Sequence, residues 1–149
     1  MSAVQSPLVF LVDDQPTWLR ALSRVLQLAG AKVQSFEDPD ALVEAMDRDF
    51  PNVIVIDFDL GSGGTGDVLA RRLRDAHGTD CPPLLLLTAQ LSDVKDRQLV
   101  AFDAAFSKDV SPDRLVAEIL KRAEGQRSSQ SSFRLKSGAT GPDRETETG

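Results

Sequence analysis

The sequence predicts an α/β fold: a doubly wound, five-stranded parallel sheet of order 2-1-3-4-5 with helices on both faces. Two observations carry this. Five short apolar runs recur along the chain, and three are continuously apolar, the pattern of strands buried on both faces. Between them lie segments with apolar residues at helical spacing, so β and α alternate five times. That alternation implies right-handed crossovers between parallel strands. A length of 149 residues suits one such domain, and a hydrophobic content of 41% allows a packed core.

The strands are LVFLV (8–12), KVQSF (32–36), NVIVI (52–56), LLLLT (84–88) and AAFS (104–107). The first, third and fourth are continuously apolar apart from Asn52 and Thr88 at their ends. The second alternates and is expected nearer an edge. The first helix, PTWLRALSRVLQLAG, places Trp18, Leu19, Leu22, Val25, Leu26 and Ala29 on one face and ends at Gly30. DPDALVEAMDRD opens the second, with Asp38 as N-cap and Pro39 at the first helical position. GDVLARRLRDAHG carries Val68, Leu69 and Leu73 inward and ends at Gly78, with His77 as a helix-end surface residue. LSDVKDRQLVAF is a shorter, more polar helix candidate. SPDRLVAEILKRAEG opens on Ser111 and Pro112, buries Leu115, Val116, Ile119 and Leu120, and is expected to stop at Gly125. The remainder is Ser, Gly, Thr and charge, so the domain is expected over 1–124 and a disordered polar tail over 125–149.

Composition narrows the function. The net charge of −6 argues against nucleic-acid partners. The single cysteine, Cys81, leaves no internal disulfide and no zinc-type Cys/His spacing. The opening MSAVQSPLVFLVDD lacks a basic leader, and no apolar run approaches a membrane span. The expectation is a cytoplasmic protein with no membrane partner.

In an open α/β sheet, ligands bind outside the carboxyl ends of the strands. Asp13 and Asp14 follow the first strand, Asp57 follows the third, Thr88 ends the fourth, and Lys108 follows the fifth. Three carboxylates, a hydroxyl and an ammonium therefore share one edge. Crowded carboxylates repel and raise one another's pKa. A hard divalent cation, Mg²⁺, relieves that repulsion. Asp57 can then act as nucleophile toward phosphorus and form an aspartyl phosphate, with Mg²⁺, Thr88 and Lys108 each holding part of the phosphoryl group.

Two families resemble this set. VIVIDFDLG is similar to the first motif of haloacid-dehalogenase-like phosphatases, in which Asp57 would be nucleophile and Asp59 the general acid/base. In that family the acidic pair comes last. Here it comes first, and no acidic pair follows Lys108 on a strand. The order acid pair, Asp, Thr, Lys instead resembles the receiver domain of two-component response regulators over about residues 7–124, through FLVDDQP, VIVIDFDL, LLLLTA and SKDVSPDRL. The resemblance implies a flavodoxin-like fold and a signalling module with no enzyme activity beyond self-phosphorylation and autodephosphorylation. It implies Asp57 as phospho-acceptor, Asp14 as a direct Mg²⁺ ligand, Asp13 as a ligand through water, and the backbone carbonyl of Asp59 completing the metal site. Thr88 and Lys108 would bind the phosphoryl group. The implied donor is a histidine kinase or histidine phosphotransfer protein, and the implied output is a downstream protein partner or onward phosphorelay. A phosphatase, or a pseudo-receiver that is never phosphorylated, are the alternatives. The polar tail adds the expectation of a stand-alone, single-domain regulator.

The chain departs from the receiver pattern in three places. Gly61 stands where a proline is usual, and the glycine opening the next helix falls at Gly66, so GSGGTG is expected to be a longer, more flexible loop. Ala105 stands where a switch aromatic is usual, with Phe106 beside it; one residue of slip reverses a side chain's face, so Phe106 is expected to be a core residue. Asp109 replaces the usual proline after Lys108, so a trans peptide is expected there. Output is therefore expected to use another surface.

Overall fold

The computed structural model describes residues 6–135, with side chains over 6–124. Its elements are β1 (Leu8–Val12), α1 (Pro16–Leu28), β2 (Lys32–Phe36), α2 (Pro39–Ala45), β3 (Val53–Asp57), α3 (Gly66–His77), β4 (Leu84–Thr88), α4 (Asp96–Leu99), β5 (Ala104–Ser107) and α5 (Pro112–Leu135). The strands form one parallel sheet of order β2-β1-β3-β4-β5, as expected. KVQSF lies at an edge.

Alternate strand residues point to opposite faces, and the sheet divides the core accordingly. Phe10, Val12, Ile54, Ile56, Leu84 and Leu86 pack with Leu42 and Ala45 of α2 and with Leu69, Ala70 and Leu73 of α3. Val9, Leu11, Val53, Val55, Leu85 and Leu87 pack with Leu19, Leu22 and Leu26 of α1 and with Leu115, Val116 and Ile119 of α5. Burial of β1, β3 and β4 on both faces explains why those strands are apolar up to their carboxyl ends, where Asp57 and Thr88 stand.

Local signals account for most helix ends. The Asp38 side chain accepts from the Ala41 N–H at 3.1 Å, with Pro39 at the first turn of α2. The Ser111 hydroxyl accepts from the Arg114 N–H at 3.4 Å and starts α5. His77 closes α3 and meets Phe50 edge-on, with ring centroids 5.5 Å apart.

Five expectations need correction. β3 begins one residue later than NVIVI suggests, so Asp57 is its last residue rather than the one after it. LSDVKDRQLVAF yields only a 3-10 turn at Leu91–Asp93 and the four-residue α4; its charged residues leave too little apolar surface to hold a longer helix on the sheet. Val68 is exposed rather than inward. Ala29 is exposed and lies beyond the last residue of α1. Helix α5 passes through Gly125 and reaches Leu135. A glycine costs a helix about 1 kcal/mol but still offers its N–H and C=O to the ladder, and no proline follows before Pro142. Residues 136–149 of the expected tail lie outside the described residues.

Candidate functional site

The carboxyl ends of β1, β3 and β4 and the turn after β5 bring the predicted residues together. Asp57 ends β3 and is 6% exposed; Asp13 is 2% exposed; Asp14 beside it is open to solvent. Each offers a carboxylate oxygen within 4.8 Å of the other two. Lys108 Nζ donates to Asp13 Oδ2 at 2.7 Å and lies 3.3 Å from Asp57 Oδ1. Gln15 Oε1 accepts from the same ammonium at 3.4 Å. Asp14, Gln15, Asp57, Asp59, Thr88, Gln90, Asp93 and Lys108 are among the residues lining a cavity of about 360 Å³.

The two members of the acid pair are placed differently. Asp13 uses both oxygens inside the protein: Oδ1 accepts from the Gln15 N–H at 2.9 Å and Oδ2 receives Lys108. Asp14 faces the cavity. Gln15 is the N-cap residue of α1, with Pro16 next, so the helix start and the acid pair are locked into one turn.

Burial pushes the Asp57 carboxyl up, the Asp13 charge adds to it, and Asp14 adds least; Lys108 opposes them by charge and by hydrogen bonding. The balance stands at about 7. One ammonium does not offset three carboxylates. The donor set is all oxygen, half-open and over-charged, which fits a hard divalent cation such as Mg²⁺.

Glycines shape the loop that follows. A Cβ on Gly66 would collide with the Asp57 carbonyl and come within 2.8 Å of the Ile56 side chain, so the first turn of α3 can lie against Asp57 only because residue 66 is glycine. Gly61 has φ +61°, which proline cannot adopt, and a Cβ there would lie 2.8 Å from Asp14 Oδ2. The loop is tied rather than open. Asp59 bridges Thr65, Leu60 N–H donates to the Gly64 carbonyl at 3.0 Å, and Asp59 Oδ1 accepts from the Gly61 N–H at 3.0 Å. One Asp59 oxygen is thus engaged within its own loop, and the residue is exposed at the cavity rim.

Thr88 is 6% exposed, and its hydroxyl accepts from the Gln90 N–H at 3.3 Å. The Lys108 N–H donates to the Thr88 carbonyl at 2.9 Å, which fixes the lysine against β4. The Lys108–Asp109 peptide is trans, as expected. Ala105 packs on the α2/α3 face of the sheet and Phe106 on the α1/α5 face, so Phe106 is a half-buried aromatic packed against the core there, in register with Leu87. Sequence reasoning missed Gln15, Asp93 and Trp18. Gln15 alone carried a signal, its position beside the acid pair. Trp18 meets Lys108 from 90 residues away, its ring centroid 4.5 Å from Nζ.

Comparison with known proteins agrees with this geometry. The response regulator receiver domain family model matches residues 9–120. A C4-dicarboxylate transport transcriptional regulatory protein DctD from Rhizobium meliloti is 30% identical over 125 residues, covering 82% of this chain and 26% of the relative. Its Pseudomonas aeruginosa namesake is 37% identical over 78 residues, 52% of this chain and 16% of the relative. The chain thus spans about a quarter or less of the curated relatives it matches. A CheY-like receiver domain from Methanospirillum hungatei superposes with a TM-score of 0.73 at 18% identity, covering 84% of this chain and 99% of that one. Chemotaxis response regulator CheY4 of Vibrio cholerae gives 0.70 at 23% identity, covering 80% and 99%.

Proposed function

The chain belongs to the response regulator receiver domain family, and we propose that Asp57 is its phosphoryl acceptor, charged by a histidine kinase or histidine phosphotransfer protein. The observation that supports this best is the convergence of Asp13, Asp14 and Asp57 with Lys108 at one sheet edge, around a cavity that also reaches Thr88.

An Asp57 carboxylate oxygen attacks phosphorus as the P–N bond to the donor imidazole breaks, and the electron pair leaves with that nitrogen. The attacking group must be ionised, so whatever holds Asp57 as an anion speeds transfer; Lys108 does so directly. Asp13, Asp14, Asp57 and the Asp59 backbone carbonyl would hold Mg²⁺, which supplies charge neutralisation for the carboxylates and the phosphoryl oxygens. Asp14 suits a direct ligand because its carboxylate faces the cavity. Asp13 suits contact through water because both its oxygens already have partners. Thr88 and Lys108 would take the remaining phosphoryl oxygens. The phosphorylated form then binds a downstream protein or passes the group on, in the cytoplasm. Among the described residues no helix is long and apolar enough to cross a membrane.

The receiver match sets aside the phosphatase alternative, and the engagement of Asp59 in its own loop agrees. Incubation with Mg²⁺ and acetyl phosphate, read by intact mass, should give one acid-stable, base-labile adduct that is absent in Asp57→Asn. No adduct and no Mg²⁺ affinity would leave a pseudo-receiver as the correct reading.

A further inference from the structure

Lys108 is a wall shared by two cavities. On one side is the acceptor cavity. On the other is a more apolar groove of about 410 Å³ between α1 and the start of α5, lined by Trp18, Leu22, Val25, Val110 and Leu115. The lysine side chain is 11% exposed and its ammonium meets Asp13, Asp57 and Gln15. Those three oxygens match the three N–H donors of an ammonium. The Trp18 ring also lies against the ammonium, its centroid 4.5 Å from Nζ and within cation–π range. Trp18 stands on the first turn of α1, whose start is bonded to Asp13 through Gln15, so the ring is carried on the same rigid turn as the acid pair.

We propose that Trp18 is a positioning residue for Lys108, its ring backing the ammonium from the groove side and limiting the positions it can take. This rests on the reading of Asp57 as acceptor. Phosphorylation changes the Asp57 oxygen that faces Lys108, whereas the Trp18 ring takes no part in the transfer and can stay against the ammonium throughout. Without it, a long flexible side chain bordering an open groove samples more positions before it meets the phosphoryl oxygens.

The test uses acetyl phosphate as donor, because a small donor removes any contribution of Trp18 to docking a protein partner. With Mg²⁺ present, Trp18→Leu should slow Asp57 labelling about three- to tenfold, and Trp18→Phe, which keeps an aromatic face, should fall between it and the parent. In a Lys108→Met background, Trp18→Leu should have no further effect. An equal slowing in both backgrounds overturns the proposal, since Trp18 would then act through the fold. Trp18 is the only tryptophan in the chain, so its emission reports the contact directly. Emission should differ between the parent and Lys108→Met before any phosphodonor is added, and identical spectra overturn the proposal. If the parent does not label at all, the acceptor reading fails on that result, while the emission comparison still decides the contact.

Discussion

Around Lys108 one ammonium is gripped by Asp13, Asp57, Gln15 and the Trp18 ring. The α4–β5 segment is held quite differently. There α4 has four residues, Val100 is 77% exposed, and the restraints come from α3. Arg71 donates to the Arg97 carbonyl at 3.3 Å, and Arg74 donates to the Ala101 carbonyl at 2.9 Å and to Asp103 at 3.0 Å. Asp103 in turn accepts from the Leu84 N–H at 2.8 Å. The first region is set by charges that phosphorylation and metal binding alter. The second is set largely by side chain to backbone bonds that a change of charge at Asp57 leaves alone. With Ala105 at the usual switch position and Phe106 packed against the α1/α5 core, no aromatic of β5 links the two. The contrast predicts that the α4–β5 surface responds little to a change of charge at Asp57.

The largest effect expected tests the charged region. In the metal-free protein the folded-state pKa of Asp57 is raised to about 7 from a usual 3.8. Between roughly pH 4 and 7 the folded chain therefore holds a proton that the unfolded chain has released. The stability contributed is fully present below the unfolded pKa and is lost as pH rises through the folded one. Above pH 7, Asp57→Asn should be more stable than the parent in chelator, by on the order of 2–4 kcal/mol, and the difference should vanish near pH 4. Denaturant titrations at several pH values measure it. Parallel stability–pH curves for the two proteins would mean that burial and Asp13 do not strain the acceptor. Added Mg²⁺ should narrow the gap at high pH, because it favours the Asp57 anion.

The next prediction tests whether the α4–β5 region is separate. Arg74→Ala removes the donor to Ala101 and the partner of Asp103, which should cost about 1–2 kcal/mol. Amide exchange should quicken over residues 99–104 while the rate of Asp57 labelling stays within about twofold of the parent. If labelling slows along with the faster exchange, the two regions are one cooperative unit and the contrast is wrong.

How far each region was legible follows from the same contrast. The gathering of the candidate site could be read because its residues sit where apolar runs stop: Asp13, Asp57, Thr88 and Lys108 each fall at a strand end, and a parallel sheet brings such ends to one edge. Gly66 was visible as an oddly placed glycine, but only the Asp57 carbonyl lying against it explains why no side chain fits there. The α4–β5 region gave less, because what holds it is not written in local pattern. Nothing in Arg74 or Asp103 signals a bond between them, and the polar stretch before Leu99 looks helical in composition while having too little apolar surface to be one. Trp18 belonged to the apolar stripe of α1, and its second contact appears only once Lys108 has been folded back beside it.

The smallest effect concerns Asp59, which lies in both the loop and the acceptor cavity. Its Oδ1 is committed to the Gly61 N–H, and the residue lines the cavity rim. A carboxylate there can accept a proton from water attacking the phosphoryl group, so Asp59→Ala should leave labelling intact and lengthen the phosphoryl lifetime by about threefold. That is far below the usual effect of a buried general base, because the residue is exposed and half engaged. Asp59→Asn separates the two roles, since its amide oxygen can still receive Gly61 while the charge is gone. Decay as slow in Asn as in Ala assigns the effect to the carboxylate. Decay at the parent rate in Asn assigns it to the turn that keeps Gly61 against Asp14, and Mg²⁺ affinity should then fall in Ala alone.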